Sequence, residues 1–275
     1  MRLLVSGVAG GIGLGVGRVI REWDVVDRLY GIDVLEDHPA KIFFHEVAVS
    51  PRAEDSFYVE WLLNYISDNR IDIFIPTSEA EVSVVSRNLN FIEAHCKVLI
   101  NDPLIISKCF DKHETLEYLS VNNISVPRHG IIGRGEPPLI FPIIAKPRIG
   151  RGSKGIMKIN SEAMLADYCP DEYVWQEFLA PDQEEYTCAV YLTKSLSKRF
   201  FILNRSLLGG YTSKGVVVNN KDISEYLSKI SDVFNKPGLF NVQLRLTDDG
   251  PKLFEINPRI SSTVVFRDKL GFHDL

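Results

Sequence analysis

The sequence predicts two units in one chain: a parallel α/β unit over residues 1–102 and a strand-rich α+β unit over residues 103–275. A length of 275 residues is enough for two modest hydrophobic cores. Apolar strand-like segments alternate with amphipathic helices through the first hundred residues, which is typical of a parallel sheet covered by helices on both faces. After Asp102-Pro103, short strand-like segments dominate, and this pattern indicates mainly antiparallel sheets.

Within the first unit, each element follows from a local pattern. "RLLVSG" is predicted to be a strand, and a glycine-rich turn leads from it into the helix "LGVGRVIREW". "RLYGIDV" and "IDIFIP" are further buried strands, and between them Phe57, Leu62 and Ile66 recur at helical spacing. Ser78 followed by Glu81 predicts a capping box at the start of the next helix, and "KVLIN" ends the unit.

The second unit is predicted to begin with a helical stretch, "LIISKCFDKHETLEYLSVNN". Two helical insertions are expected near residues 162–168 and 222–234. The strand-like segments are "PIIAKP", "GIMKIN", "YVWQEFL", "EYTCAVYLT", "RFFILNRSLL", "FNVQLRLT" and "KLFEIN".

Composition and charge narrow the range of functions. A net charge of −5 and a pI near 5.7 argue against a nucleic-acid binder, since no basic stripe is present to neutralise phosphates. No apolar run approaches the ~18–20 residues of a membrane-spanning helix, and the amino terminus lacks a cleavage site, so we expect a cytoplasmic protein. Cysteines without C-x-x-C spacing predict reduced thiols rather than a zinc site; they are Cys96, Cys109, Cys169 and Cys188.

The stretch "VSGVAGGIGLG" leaves two interpretations open. Gly7, Gly11 and Gly13 fit a turn that binds a dinucleotide pyrophosphate, and Asp33 follows where a ribose-binding acid would stand. A nicotinamide-dependent reductase of the short-chain type also needs a tyrosine four residues before a lysine, and none is present. A tight turn without a cofactor is therefore favoured, although Gly10 and Gly11 could border part of a substrate.

A hairpin near the carboxyl terminus carries the first candidate site. In "LFNVQLRLTDDGPKLFEINPRISS", a turn centred on Asp249 would place Gln243 opposite Glu255 and Asn241 opposite Asn257. Oxygen-only ligands of this kind suit Mg²⁺. A turn centred between two residues would break the arrangement, and a solvated outer face explains the alternation equally well.

A glycine-rich hairpin is the second candidate. In "FPIIAKPRIGRGSKGIMKI", Lys146 ends one apolar strand, and the residues from Gly150 to Gly155 are small or cationic. Such a loop lets backbone amides approach phosphate oxygens and is able to close over a bound triphosphate. An exposed basic turn is the alternative.

Together these motifs resemble the ATP-grasp superfamily. Asp111-Lys112, the "AKP" strand with its glycine hairpin, "WQEFL", "EEYT" and "NVQ…FEINPRIS" occur in the family's order across residues 102–262. The ending "NVQ…E-x-NPR" most resembles the carbamoyl-phosphate-synthase-like branch. The resemblance implies a Rossmann-like pre-ATP-grasp domain over residues 1–102. It also implies an ATP-grasp domain over residues 103–275, with a lid at about 126–178 and a core at about 179–275.

The resemblance also assigns roles to residues. Lys112 and Lys146 would contact the ATP phosphates, with Lys108 as a competitor for the first role, and the lid would contribute Gly152 and Ser153. The hinge beside adenine would be formed by Gln176, Glu177, Phe178 and Leu179. Glu185 would hold the ribose, Gln243, Glu255 and Asn257 would bind magnesium or manganese, and Arg259 would act with Lys146 in catalysis.

The implied activity is that of a carboxylate–amine ligase, which phosphorylates a carboxylate with ATP and couples the acyl phosphate to an amine. Arg205 and Lys214 could border the site of these small-molecule substrates. Gln176 departs from the family pattern, since many relatives have an acid there. Sixteen residues follow Arg259, fewer than is usual in the family, so a partner chain could complete the site. The alternatives are a nucleotide-binding module or subunit without turnover and, less favoured, the reductase.

Overall fold

In the computed structural model, residues 1–135, 137–150, 155–208 and 211–275 are described. They form two compact units, one comprising Met1–Ile106 with Arg259–Leu275 and the other Ser107–Pro258. The predicted domain boundaries at residues 1–102 and 103–275 stay a prediction. No helix in the described part of the chain is both long and apolar enough to cross a membrane.

The first unit is built on a parallel sheet. Its strands are β1 (Arg2–Ser6), β2 (Arg28–Asp33), β3 (Glu46–Val49), β4 (Ile73–Ile75) and β5 (Lys97–Val98), in the order β3-β2-β1-β4-β5. Its helices before the chain enters the second unit are α1 (Gly11–Ile20), α2 (Tyr58–Asn69), α3 (Glu79–Arg87) and α4 (Leu89–Glu93). A 3₁₀ turn covers Pro39–Ile42. The parallel sheet and the order of its elements confirm the prediction, apart from β3, which the sequence reading missed.

Tertiary packing changes one detail of α2. Leu62 and Ile66 lie in the core as predicted, but Phe57 precedes the helix and is 55% exposed. Tyr58 is fully buried instead. A helical residue at position 58 lies four residues before Leu62 and therefore on the same face, so Tyr58 continues the apolar stripe better than Phe57 does.

The glycine turn after β1 has a structural explanation. Gly7 has a φ of +62°, which a residue with a side chain rarely adopts. A Cβ atom on Gly13 would lie 2.4 Å from the Gly7 carbonyl oxygen, so only glycine fits at that position of α1. The Asp33 carboxylate accepts hydrogen bonds from the backbone N–H groups of Ala9 (2.8 Å) and Leu35 (3.0 Å). These contacts favour the interpretation of a tight turn held by its own residues.

The second unit contains two antiparallel sheets. Sheet B has the order β6-β9-β7-β8, and sheet C has the order β12-β11-β10-β13-β14. Sheet B is formed by β6 (His129–Ile131), β7 (Ile143–Pro147), β8 (Met157–Ile159) and β9 (Tyr173–Glu177). Sheet C is formed by β10 (Glu185–Leu192), β11 (Lys198–Leu208), β12 (Tyr211–Val217), β13 (Gly238–Thr247) and β14 (Gly250–Asn257). The antiparallel sheets confirm the predicted fold class.

Helices α5 (Pro103–Phe110), α6 (Lys112–Val121) and α7 (Lys221–Phe234) follow, with 3₁₀ turns at Glu162–Asp167 and Asp182–Glu184. The single helical stretch expected at the start of the second unit is wrong in one respect, because it is two helices. Asp111 takes an extended conformation between them and caps α6 by accepting from the N–H groups of His113 (2.9 Å) and Glu114 (3.3 Å). The amphipathic α7 buries Ile223, Leu227 and Ile230.

The last residues pack with the first unit. Helix α8 (Val264–Lys269) contacts α1, where a Cβ atom on Gly15 would lie 3.1 Å from Val264. Arg267 is fully buried and donates to the Asp274 carboxylate (2.7 Å) and to the Ser261 hydroxyl (2.7 Å). Buried charges need such partners, so these bonds hold the segment after Arg259 in place.

The predicted capping box of α3 is confirmed and extends into a buried network. The Ser78 hydroxyl accepts from the Glu81 N–H (3.3 Å) and donates to the Glu81 carboxylate (2.7 Å). Ser6 (2.8 Å) and Tyr58 (3.0 Å) also donate to this carboxylate. Burial raises the pKa of Glu81, and these hydroxyl donors oppose the rise only in part.

Gly13→Ala should lower the free energy of unfolding by about 1–3 kcal/mol, because the new methyl group would collide with the Gly7 carbonyl. Gly11→Ala is the matched control, since a Cβ atom there has no neighbour within 4 Å. We expect the control to be neutral or stabilising by up to about 1 kcal/mol. Urea unfolding of both variants measures the difference, and equal stability of the two would contradict the packing described for the turn.

Glu81→Gln should change the dependence of stability on pH. Because the folded-state pKa of Glu81 is raised, its contribution is fully present below the unfolded value and is lost as pH rises through the folded value. Glutamine stays neutral, so the free energy of unfolding of the variant relative to wild type should increase as the pH rises from about 4.5, the ordinary pKa of a glutamate. Unfolding at pH 5 and pH 8 tests this, with the exposed Glu60→Gln as control. A difference that does not grow with pH would show that the carboxyl is not desolvated.

Candidate functional site

Lys146 joins the two sheets of the second unit. It lies on β7 of sheet B and is only 4% exposed. Its ammonium group donates to the Gln176 side-chain oxygen on β9 (2.6 Å) and to the Phe254 carbonyl on β14 of sheet C (2.7 Å). Burial lowers the pKa of Lys146 to about 7; the charge of Glu255 opposes this shift and that of Lys112 adds to it. Both acceptors are neutral, and no carboxylate of the described residues bonds directly to this buried cation.

Lys112 is a second cation near Lys146. It begins α6, and its ammonium group donates to the carbonyl of Gly150 (2.7 Å), the first residue of the predicted glycine-rich loop. The helix start is positioned by Arg148, which donates to the Asp111 carboxylate at 3.0 and 2.7 Å. Both bonds go to one oxygen of Asp111, while its other oxygen accepts from the backbone of α6, so the carboxylate connects Arg148 to the helix start. Lys112 therefore has a defined position at the helix amino terminus.

Lys108, the competitor for the first phosphate-binding role, has different neighbours. Its ammonium group lies 3.7 Å from the Glu114 carboxylate and 5.5 Å from the centre of the Tyr118 ring. The positive charge of Lys112, by contrast, contributes to the lowered pKa of Lys146. Which of the two lysines contacts phosphate stays a prediction.

The hairpin of β13 and β14 reaches the predicted pairing by a different route. Gln243 pairs with Glu255 and Asn241 with Asn257, as expected. The turn, however, is not centred on Asp249, because Thr247 pairs with Gly250 across two turn residues. The register shifts by one residue after Gln243, and Phe254 is left opposite no residue of β13.

This β-bulge restores the alternation that a turn centred between two residues would have broken. It also changes the core. Leu253 is fully buried, whereas Phe254 is only partly buried. The Phe254 carbonyl is the acceptor for Lys146.

The polar face of sheet C carries side-chain amide oxygens and the carboxylate of Glu255. Asn241 accepts from the Thr187 hydroxyl (2.8 Å), and Gln243 accepts from Arg205 (3.0 Å). Within the described part of the chain, the Glu255 carboxylate makes no hydrogen bond or ion pair, while its charge raises the pKa of Lys146. The second lone pair of the Gln243 amide oxygen remains for a metal ion. An oxygen-only set with a carboxylate that has no direct partner fits a hard divalent cation such as Mg²⁺.

Glu185 lies between two arginines on the same face. Its carboxylate accepts from Arg205 (3.1 Å) and from Arg245 (3.2 Å), and it is 9% exposed. Arg245 also donates to the Leu179 carbonyl and pairs with Asp182 (2.6 Å). The sequence reading did not assign Arg245 a role, although its alternation with Asn241 and Gln243 placed it on this face. Arg205 contacts two predicted site residues directly.

Residues of the predicted hinge are held by charged neighbours. The Glu177 carboxylate accepts from Lys252 (2.8 Å) and Arg128 (2.9 Å). Burial raises the pKa of Glu177, but these two donors outweigh it and lower the pKa overall. The Lys158 ammonium lies 4.0 Å from the centre of the Phe178 ring. The side chains of Glu177 and Phe178 thus contact charged residues of the protein itself.

The remaining predicted residues lie outside the described residues, on β12 or in the first unit. Gly152 and Ser153 fall in the segment that the structure does not describe. Lys214 is exposed on β12. Arg259 belongs to the first unit, where it pairs with Glu79 (2.7 Å).

The first unit also holds the two glycines expected to border a substrate. Gly10 precedes α1 as its N-cap, and Gly11 is the first residue of that helix. Their involvement in substrate binding stays a prediction.

Comparison with known proteins identifies the fold. A family model described as "ATP-grasp in the biosynthetic pathway with Ter operon" matches residues 174–270, which include β10, β13 and β14. No curated protein sequence matches the chain.

Solved structures resemble the whole chain at low sequence identity. N5-carboxyaminoimidazole synthetase from Staphylococcus aureus, complexed with ADP, has a TM-score of 0.77 at 17% identity, covering 98% of this chain and 73% of that one. L-amino acid ligase from Bacillus licheniformis has a TM-score of 0.70 at 14% identity, covering 96% and 68%. A carboxyaminoimidazole ribonucleotide synthase from Aspergillus clavatus, complexed with ATP, has a TM-score of 0.71 at 17% identity, covering 94% and 70%. The solved structures show that this chain shares their fold, and the family model extends over residues 174–270.

Proposed function

We propose that the protein is an ATP-dependent ligase that phosphorylates a carboxylate and couples the acyl phosphate to an amine. The observation that carries the proposal is the buried Lys146, which bridges two sheets beside a second lysine and bonds only to neutral acceptors. The similar synthetase and ligase structures, two of them with ADP or ATP, support the same class of chemistry.

Electrostatics favour a polyanion as the ligand of this site. Burying a cation without a bonded carboxylate is unfavourable, and Lys112 adds repulsion, as the lowered pKa of Lys146 shows. A triphosphate would relieve both costs, because its negative charge would lie against both ammonium groups. Binding would accordingly raise the pKa of Lys146 and keep it protonated. A site of this kind is better suited to an anion than to a neutral ligand.

Glu255, Asn257 and Gln243 would hold a divalent ion, which would neutralise phosphate charge when bound. Lys146 and Lys112 would stabilise the charge on the transferring phosphoryl group. Glu185, oriented by Arg205 and Arg245, would accept hydrogen bonds from the ribose hydroxyls. The family resemblance assigns Arg259 to the same phosphoryl group. No protein nucleophile is required, because the substrate carboxylate itself attacks the phosphorus.

A nucleotide-binding module without turnover is the main alternative. It shares the binding residues but does not release ADP. Mixing the protein with ATP, Mg²⁺ and panels of carboxylates and amines separates the two, because ligation releases ADP and phosphate in equal amounts. ADP release that requires both a carboxylate and an amine supports the ligase, whereas nucleotide binding without release for any pair supports the module.

Lys146→Met should weaken binding of a non-hydrolysable ATP analogue by about 10–100-fold, the loss of one charge-assisted contact of about 1.5–3 kcal/mol. Isothermal titration calorimetry with Mg²⁺ present measures the affinity. Lys194→Met is the matched control, since Lys194 is exposed in the turn between β10 and β11. Thermal unfolding without nucleotide checks that both variants fold. Unchanged affinity in folded Lys146→Met would rule out phosphate binding at this lysine.

Arg205→Ala should weaken binding of the ATP analogue by about tenfold. Glu185 and Gln243 would each lose a charge-assisted bond of about 1.5–3 kcal/mol and would no longer be held in position. Arg205→Lys should recover only part of the affinity, since a lysine cannot bridge both acceptors with a planar fork. Calorimetry in magnesium and in EDTA separates the two contacts, because only the Gln243 contact bears on metal binding. Full affinity in Arg205→Ala would mean that Arg245 alone positions Glu185.

A further inference from the structure

A second cluster of possible ligand atoms lies in the second unit, between helix α6 and strand β6. His113 and Glu117 are four residues apart on α6 and so share one face of the helix. His129 is the first residue of β6. One ligand atom from each of the three residues lies within 4.8 Å of the other two.

The hydrogen bonds of His129 are those of a metal ligand. Its Nδ1 atom lies 2.8 Å from the Pro127 carbonyl oxygen, which can only accept, so Nδ1 carries a proton. In the neutral ring Nε2 then has a lone pair, yet it lies 3.0 Å from the Glu117 carboxylate, which also accepts. Either a second proton or a cation must lie between them. Histidines that bind a metal through one ring nitrogen commonly donate from the other nitrogen to a backbone carbonyl, which fixes the orientation of the ring.

His113 supplies the observation that favours a metal ion over a simple ion pair. Its Nδ1 atom is buried and has no hydrogen-bond partner among the described residues. Its ring lies 5.7 Å from the His129 ring, centre to centre. Protonation of His129 alone would leave His113 without a partner, whereas a shared cation would satisfy all three residues.

We propose that His113, Glu117 and His129 form a binding site for a divalent transition-metal ion of the zinc type. Two imidazole nitrogens and one carboxylate are a common three-ligand set for Zn²⁺, with water in the fourth position. Ligand atoms around tetrahedral zinc lie roughly 3.3–3.5 Å apart, so small side-chain rotations close the set. His113 and His129 also line a cavity of about 650 Å³, which gives the fourth position access to solvent.

Bound metal would cross-link the first turn of α6 to β6. Lys112 immediately precedes His113, so the cross-link would also restrain the helix start. The proposal does not depend on the proposed ligase function, because metal binding is measured without nucleotide or substrate.

The test uses the full chain with Cys169→Ser, which removes an exposed thiol that could bind zinc on its own. After treatment with EDTA and its removal, Zn²⁺ is titrated in competition with a chromophoric chelator, and Co²⁺ is titrated while its visible absorption is recorded. We expect one zinc per chain with a dissociation constant in the micromolar range or tighter. Tetrahedral Co²⁺ should give intense visible bands.

His113→Gln and His129→Gln should each weaken zinc binding at least 100-fold, and Glu117→Gln should weaken it about tenfold or more. His95→Ala is the control, since His95 lies on the surface of the first unit. Circular dichroism checks that each variant is folded. Absence of stoichiometric zinc binding, or binding that folded His113→Gln and His129→Gln leave unchanged, would overturn the proposal.

Discussion

The second unit depends on the burial of one charged group. Lys146 reaches from sheet B to the Phe254 carbonyl of sheet C and to the Gln176 amide, so its ammonium group fixes the two sheets relative to each other at this point. Burying an ammonium group costs free energy unless its donors are satisfied. Here they meet neutral acceptors, and the pKa falls to about 7. The protein thus holds a cation in a position where an anionic ligand would be favourable.

Residue 176 illustrates how one side chain sets this balance. A carboxylate at this position would form an ion pair with Lys146 and neutralise it before any ligand arrived. The amide of Gln176 accepts a hydrogen bond but carries no charge. An amide at position 176 therefore has a physical consequence, because it accepts from Lys146 without neutralising the charge of the lysine.

Arg205 and Arg245 of sheet C connect several of the predicted site residues. Arg205 donates to both Glu185 and Gln243, and Arg245 donates to Glu185 and to the Leu179 carbonyl. These bonds tie the predicted ribose acid, a predicted metal ligand and the end of the hinge into one network. Such networks hold their members in fixed orientations, since moving one side chain breaks several charge-assisted bonds at once.

Local patterns in the sequence determined most of the fold class and the composition of the site. Alternation of strands and helices predicted the parallel sheet, and period-two alternation predicted that Glu255 and Asn257 share one face of their strand, because both patterns depend on neighbours in the chain. Only the tertiary structure decided the β-bulge at Phe254, the two-residue turn and the break at Asp111. It also decided the bonding partners of Lys146, Arg205 and Arg245. The partners of Lys146, Arg205 and Arg245 lie 20 to 108 positions away in sequence, and the free energy of burying one group against another cannot be read from either group alone.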